Sequence, residues 1–129
     1  MTNCKQVRTI GIAEWCALAK DGPVPPVTIC LDGSSMMPLI RQGKDPVTIA
    51  PLEHPIRIGD VVLLTTGADR YVVHRVWKIS GEKLRTLGDH CVNPDPWISK
   101  ENVLGQAILY SRNNVKHRLD TTAARLWGR

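Results

Sequence analysis

A mainly β domain with a short helix at each end is the fold class that this sequence predicts, and three observations point to it. Aromatic residues are scarce (four Trp, two Tyr, no Phe), so the core must come from Val, Ile and Leu, a supply that suits strands better than a helical bundle. From Val47 onward, short apolar runs alternate with turns bearing Gly, Asp and Pro, the texture of strands joined by tight connections. A chain of 129 residues with 43% hydrophobic content is long enough to bury one core, over 1–129, and too short for two.

Residues Val7 to Lys20 place Ile10, Ala13, Ala17 and Leu18 on one helical face, with Gly22 as the stop. Pro23, Pro25 and Pro26 make a stiff connector. Val27 to Leu31 reads as a strand that breaks at the turn-prone Asp32-Gly33-Ser34-Ser35. Strands follow at Val47–Ala50, Val61–Thr66 and Arg70–Ile79, and Ser80-Gly81-Glu82 turns the chain into Lys83–Leu87 as a hairpin. A Pro-bearing loop spans Cys91 to Trp97, a further strand runs from about Asn102 to Tyr110, and Asp120, Ala123, Ala124 and Leu126 suggest the C-terminal helix.

The formal charge of +5 is scattered, with no stripe of interleaved basic and aromatic residues, so a nucleic-acid partner is not expected. Membrane contact would be at most peripheral, through the basic C-terminal stretch. Cys4, Cys16, Cys30 and Cys91 contain no CxxC pair, which argues against a zinc site. With no secretory leader and no apolar run long enough to span a bilayer, the expectation is a soluble, cytoplasmic protein with four reduced thiols. No metal or cofactor is implied.

Three places could carry chemistry. In Gly33-Ser34-Ser35-Met36-Met37-Pro38, a serine in a tight turn can expose its hydroxyl while its own N–H serves as an oxyanion donor. In Tyr71-Val72-Val73-His74-Arg75-Val76-Trp77, strand alternation sets His74 with Val72 and Val76, and Arg75 with Tyr71, Val73 and Trp77. A partly desolvated neutral imidazole there has the form that a general base requires. In Leu87-Gly88-Asp89-His90, with Asp95 six residues beyond Asp89, a carboxylate could orient the second imidazole nitrogen.

Their order carries more weight than any one of them. Ser35-Met36-Met37-Pro38, Gly59-Asp60-Val61-Val62, Val73-His74-Arg75-Val76, Gly88-Asp89 and Val103-Leu104-Gly105 together resemble the signal peptidase I family of serine peptidases, over roughly 27–108. The resemblance implies an antiparallel β fold shared with the self-cleaving SOS-response repressors. His74 stands where bacterial-type members carry Lys, as in the family's Ser-His version. It implies Ser35 as nucleophile, His74 as base and Asp95 as orienting acid, with Asp89 the alternative or supporting acid.

Position 33 is Gly where many members have Ser, so the oxyanion hole would rest on the Ser35 N–H, with Ser34 contributing. Met36 and Met37 would line the substrate region, or belong to the core. The implied reaction is cleavage of a protein or peptide precursor through an acyl-enzyme, after small residues at the first and third positions before the cut. The alternative is a catalytically silent peptide-binding module of the same descent. A self-cleaving regulator fits least, because the segment before Pro23 is too short for a helix-turn-helix unit.

Overall fold

The computed structural model describes residues 12–31, 36, 39–41, 43–66 and 70–121. Within them, helix α1 (Ile12–Asp21) precedes strands β1 (Val27–Ile29), β2 (Val47–Ala50), β3 (Val61–Thr65), β4 (Tyr71–Ser80), β5 (Lys83–Leu87), β6 (Ile98–Ser99), β7 (Val103–Arg112) and β8 (Val115–Arg118). Every pairing is antiparallel. The sheet runs β1-β2-β7-β3-β4-β5-β6, with β8 branching from β7. The chain is thus a mainly antiparallel β protein with one short helix among the described residues.

Strand β7 is the hub. Its first half pairs with β3 and its second half with β2, and its last four residues pair with β8. The β7–β8 connection turns on Asn113 and Asn114, at φ 53° and 66°, the left-handed pair that a type I′ hairpin demands and Asn tolerates. The β4–β5 connection places Gly81 at φ 59°, a position where a side chain would be strained.

The sheet buries both faces, and alternation sorts the side chains. Val61, Leu63 and Val73 join Trp15, Met36, Ile40, Ile49 and Tyr110 in one cluster. Val62, Leu64 and Val76 join Leu84 and Val103 in the other. Helix α1 closes the first face through Trp15, which is buried and donates its indole N–H to the Pro25 carbonyl at 2.9 Å. A Cβ at Gly105 would meet the Ala50 carbonyl, the Ile49 side chain and the Trp15 ring, each at 3.0 Å. Glycine there is what lets helix and strands approach so closely.

Strands β2 and β5 coincide with their expected bounds, and β1, β3, β4 and β7 differ from theirs by one or two residues. Four expectations need correction or completion. The helix buries Trp15 and Cys16, with Ile12 and Ala19 packed on the same cluster, whereas Ala13, Ala17 and Leu18 are exposed. The bulky indole with its own carbonyl partner decides the rotation, and the expected face had left it out. Cys30 is disulfide-bonded, to a partner outside the described residues, while Cys16 and Cys91 are free thiols. A disulfide needs proximity in space, not a short spacing. Four reduced thiols are therefore ruled out, and with them the basis for expecting a reducing compartment. Strands β6 and β8 were not anticipated; they are two and four residues long. Residues 122–129, expected to form a helix, and the expected helix start at Val7 lie outside the described residues. No helix among the described residues is long and apolar enough to cross a membrane.

Candidate functional site

Strand β4 supplies the centre. Register sets His74 opposite Val62 and Arg75 opposite Val61, so the two neighbours face opposite sides of the sheet, as alternation requires. His74 is buried on the side of Val62 and Val76, and its Nδ1 lies 2.5 Å from Asp95 Oδ2. Against an ionised carboxylate, Nδ1 is the nitrogen that donates, leaving Nε2 as the basic nitrogen of the neutral ring.

Asp95 lies in the loop before β6 yet is held by β5 at three points. Its N–H donates to the Thr86 carbonyl at 2.8 Å, and its carbonyl accepts from Arg85 Nε at 2.9 Å. The fully buried Thr86 donates its hydroxyl to Oδ2 at 2.6 Å. Backbone and side chain together therefore aim the carboxylate at the ring.

Asp89 has another task. It accepts Arg75 Nε on one oxygen and Nη2 on the other, both at 2.9 Å, while Arg75 Nη1 donates to the Gly59 carbonyl at 3.0 Å. This fork ties the Gly88-Asp89 turn to the turn that starts β3. The carboxylate hydrogen-bonded to His74 is Asp95, and that on Arg75 is Asp89. His90 follows in the same turn and is exposed.

Ser34, Ser35 and Met37 lie outside the described residues. Met36 is wholly buried in the first core cluster, and its Sδ accepts the Asp89 N–H at 3.4 Å. It therefore offers no surface to a substrate: of the two placements open to it, core and substrate lining, it takes the core. Ile40 N–H donates to the Met36 carbonyl, and Gly43 N–H to the Leu31 carbonyl, at 3.0 and 3.1 Å.

Asp45 anchors this segment to the sheet, taking Arg41 N–H at 2.9 Å and Nη2 at 2.8 Å, and Arg112 Nη2 at 2.8 Å. Arg112 also donates to the Leu39 carbonyl at 2.8 Å. Burial alone would raise the Asp45 carboxyl, but the hydrogen bonds from Arg41 and Arg112 outweigh it and hold the group at about 2. Gly43, Asp45 and the Asp89 turn thus hold Leu31, Arg41 and Met36 respectively.

A cleft of about 580 Å³ opens beside the Arg75–Asp89 pair, bounded by Ile58, Trp77, Lys78, Leu87 and Cys91. Between Val76 and Lys78 the β4–β5 register slips by one residue. This bulge makes Trp77 the extra residue and re-aims the strand at the cleft. Cys91 also lines the cleft.

Sequence reasoning missed the support around these groups. Thr86 carried a signal, as a polar residue two positions from the buried Leu84 on an alternating strand. Arg85 and the bulge carried none. Among the described residues no group of three or more His, Cys, Asp and Glu is placed to hold a metal ion. No family model matches the chain, and no curated protein or solved structure matches it either.

Proposed function

We propose that the protein is a serine endopeptidase of the signal-peptidase type, cleaving protein or peptide precursors with Ser35, His74 and Asp95. The observation that carries this reading is the His74–Asp95 pair, at 2.5 Å and buttressed by Thr86 and Arg85. A core histidine needs one partner for its N–H. It does not need a carboxylate held at backbone N–H, carbonyl and Oδ2 from a neighbouring strand.

In this mechanism Ser35 Oγ attacks the scissile carbonyl while His74 Nε2 takes its proton, and the Ser35 N–H, with Ser34, stabilises the oxyanion. The imidazolium, paired with Asp95, returns that proton to the leaving amine. Water then enters, giving a proton to His74 as it attacks, and frees the acyl group from Ser35. Two structural supports favour Ser35 in this role. It is bonded to Met36, which is fixed against the Asp89 turn, and Asp89 is locked to Arg75, the neighbour of His74.

The test is cleavage of a peptide library rich in small residues at the first and third positions before the cut, followed by mass spectrometry. The wild type is expected to cleave, and Ser35→Ala and His74→Ala to lose cleavage while keeping their folds. Wild-type binding without cleavage would replace this reading with a non-cleaving peptide-binding module.

A further inference from the structure

Beyond the cleft, on the same side of β4 as Arg75, the sheet carries a row of side chains that composition alone conceals. Trp77 and Trp97 are 39% and 43% exposed. The Arg85 guanidinium lies 5.8 Å from the Trp77 ring centre and 5.7 Å from that of Trp97, bridging the two. Lys78 Nζ stands 4.5 Å from the centre of the Trp77 ring. The bulge builds this row, because Lys78 now pairs with Arg85 and Trp77 is inserted beside it. Trp77 and Lys78 also form part of the cleft wall, so shelf and cleft are continuous. Ile58 at the cleft and Val92, next to Cys91, add exposed apolar surface at 41% and 92%.

We infer that this shelf docks an acidic, apolar-containing stretch of an extended polypeptide, outside the segment that is cut. Among the described residues neither Lys78 nor Arg85 forms an ion pair, so two cations are presented, with the Trp77 ring between them and the Trp97 ring beyond Arg85. Carboxylates complement the cations, and aliphatic or aromatic side chains complement the indole edges. A nucleic acid would need open ring faces for base stacking, but both rings already carry a cation over them. A lipid surface would need apolar tips on a convex rim, whereas Trp77 lies on a strand at the wall of a concave cleft. The inference rests on the peptidase reading in taking the ligand to be a polypeptide, and it sets the docked stretch on the Arg75 face of β4, opposite the face that carries His74.

The test measures binding, not turnover, with Ser35→Ala protein and labelled peptides sharing one small-residue core. The flank is Asp/Glu-rich, neutral or Lys-rich, each with the same apolar residues. The acidic flank is expected to bind about tenfold tighter than the neutral one at low salt, with the gap closing as salt screens it. Lys78→Glu, at an exposed position, is expected to invert the preference toward the Lys-rich peptide, which no loss of folding could imitate. Trp97→Ala is expected to weaken all three peptides.

Equal binding of the three flanks, or a basic preference in the unaltered shelf, would overturn the inference. So would anionic phosphatidylglycerol vesicles or a single-stranded oligonucleotide that displace the acidic peptide and lose binding in Lys78→Glu when the peptide does not. Acid-selective binding in a protein whose wild type cuts nothing would remove the peptidase reading and leave the shelf standing.

Discussion

His74 and Arg75 are consecutive residues of β4, and each meets an aspartate delivered by the chain after β5, but on opposite faces and with opposite construction. The Arg75–Asp89 pair is a two-point fork with side chains only 6% and 4% exposed. It is sealed between two turns and joined to a third backbone segment through Gly59. The His74–Asp95 pair has one contact, and Asp95 keeps 34% of its side chain exposed. A sealed fork fixes geometry, since both charges are matched and neither can move without stranding the other. A single buttressed contact suits the base proposed for His74, which must exchange a proton and not only hold a position. On that proposal one strand offers a locking pair and a working pair to opposite sides of the sheet.

The largest effect expected from breaking this comparison is on the working side. Asp95→Asn keeps the shape but replaces an acceptor-only carboxylate with an amide that can also donate, so the ring tautomer is no longer fixed and the imidazolium loses its counter-charge; kcat is expected to fall about ten-thousandfold. Thermal stability is expected to change little, because Asp95 is at the surface and its backbone contacts with Thr86 and Arg85 persist. A loss below tenfold in steady-state cleavage would show that Asp95 does not orient His74.

The locking pair is expected to answer in stability instead. Asp89→Ala leaves the Arg75 guanidinium buried without its fork, at a cost of about 3–5 kcal/mol in denaturant unfolding. The double replacement Arg75→Met with Asp89→Leu is expected to recover much of that loss, since it removes both charges from the interior. If Asp89→Ala instead lowered kcat as far as Asp95→Asn while unfolding at wild-type denaturant concentrations, the assignment of the two carboxylates would be reversed.

A third carboxylate extends the comparison to acid. Asp45 is held at about 2 in the folded protein, below the unfolded value of about 3.9. A lowered folded value contributes stability that is present above the unfolded value and lost as pH falls through the folded one. The window is therefore roughly pH 4 to 2, and the contribution is on the order of 2 kcal/mol. Acid unfolding followed by circular dichroism should show a shallower slope in that window for Asp45→Asn than for wild type. Identical slopes would mean that the tie of Arg41 and Arg112 to Asp45 does not depend on its charge.

What could be read from the sequence follows from how local each cause is. Strands β2 and β5 were legible because turn residues bracket them, Pro46 and Pro51 around one and Gly81 and Gly88 around the other, and the opposite facing of His74 and Arg75 follows from period-two geometry alone. Asp95 was one candidate acid from its place in the chain, but its preference over Asp89 came through a family resemblance, since nothing local marks an aspartate before Pro96 as the partner of a residue twenty-one positions earlier. The Trp77–Arg85–Trp97 row was invisible because two strands and the residue before β6 assemble it and a bulge breaks the alternation from which it would have been inferred. The disulfide at Cys30 and the edge strands β6 and β8 were missed because their causes are distant in the chain. The wrong helix face has a nearer cause: the largest apolar side chain in the segment, Trp15, was left out of the pattern.

The smallest expected effect sharpens the comparison most, because it separates aiming from holding within the working pair. Thr86 is wholly buried and gives its hydroxyl to the same Asp95 oxygen that lies on His74 Nδ1. Thr86→Val keeps the volume and the strand preference but loses that donor, for about 1 kcal/mol of stability. If the hydroxyl only fills a hydrogen bond, cleavage should follow the folded fraction and kcat should be unchanged. If it aims the carboxylate, kcat should fall several-fold with KM unchanged, and Thr86→Ser, which restores the hydroxyl without the methyl, should recover most of it. The fork at Asp89 has no such fine adjustment, since both its oxygens are already fixed by one guanidinium. A kcat that tracks the Thr86 hydroxyl while Asp89 variants track only stability would therefore assign chemistry to one pair and architecture to the other.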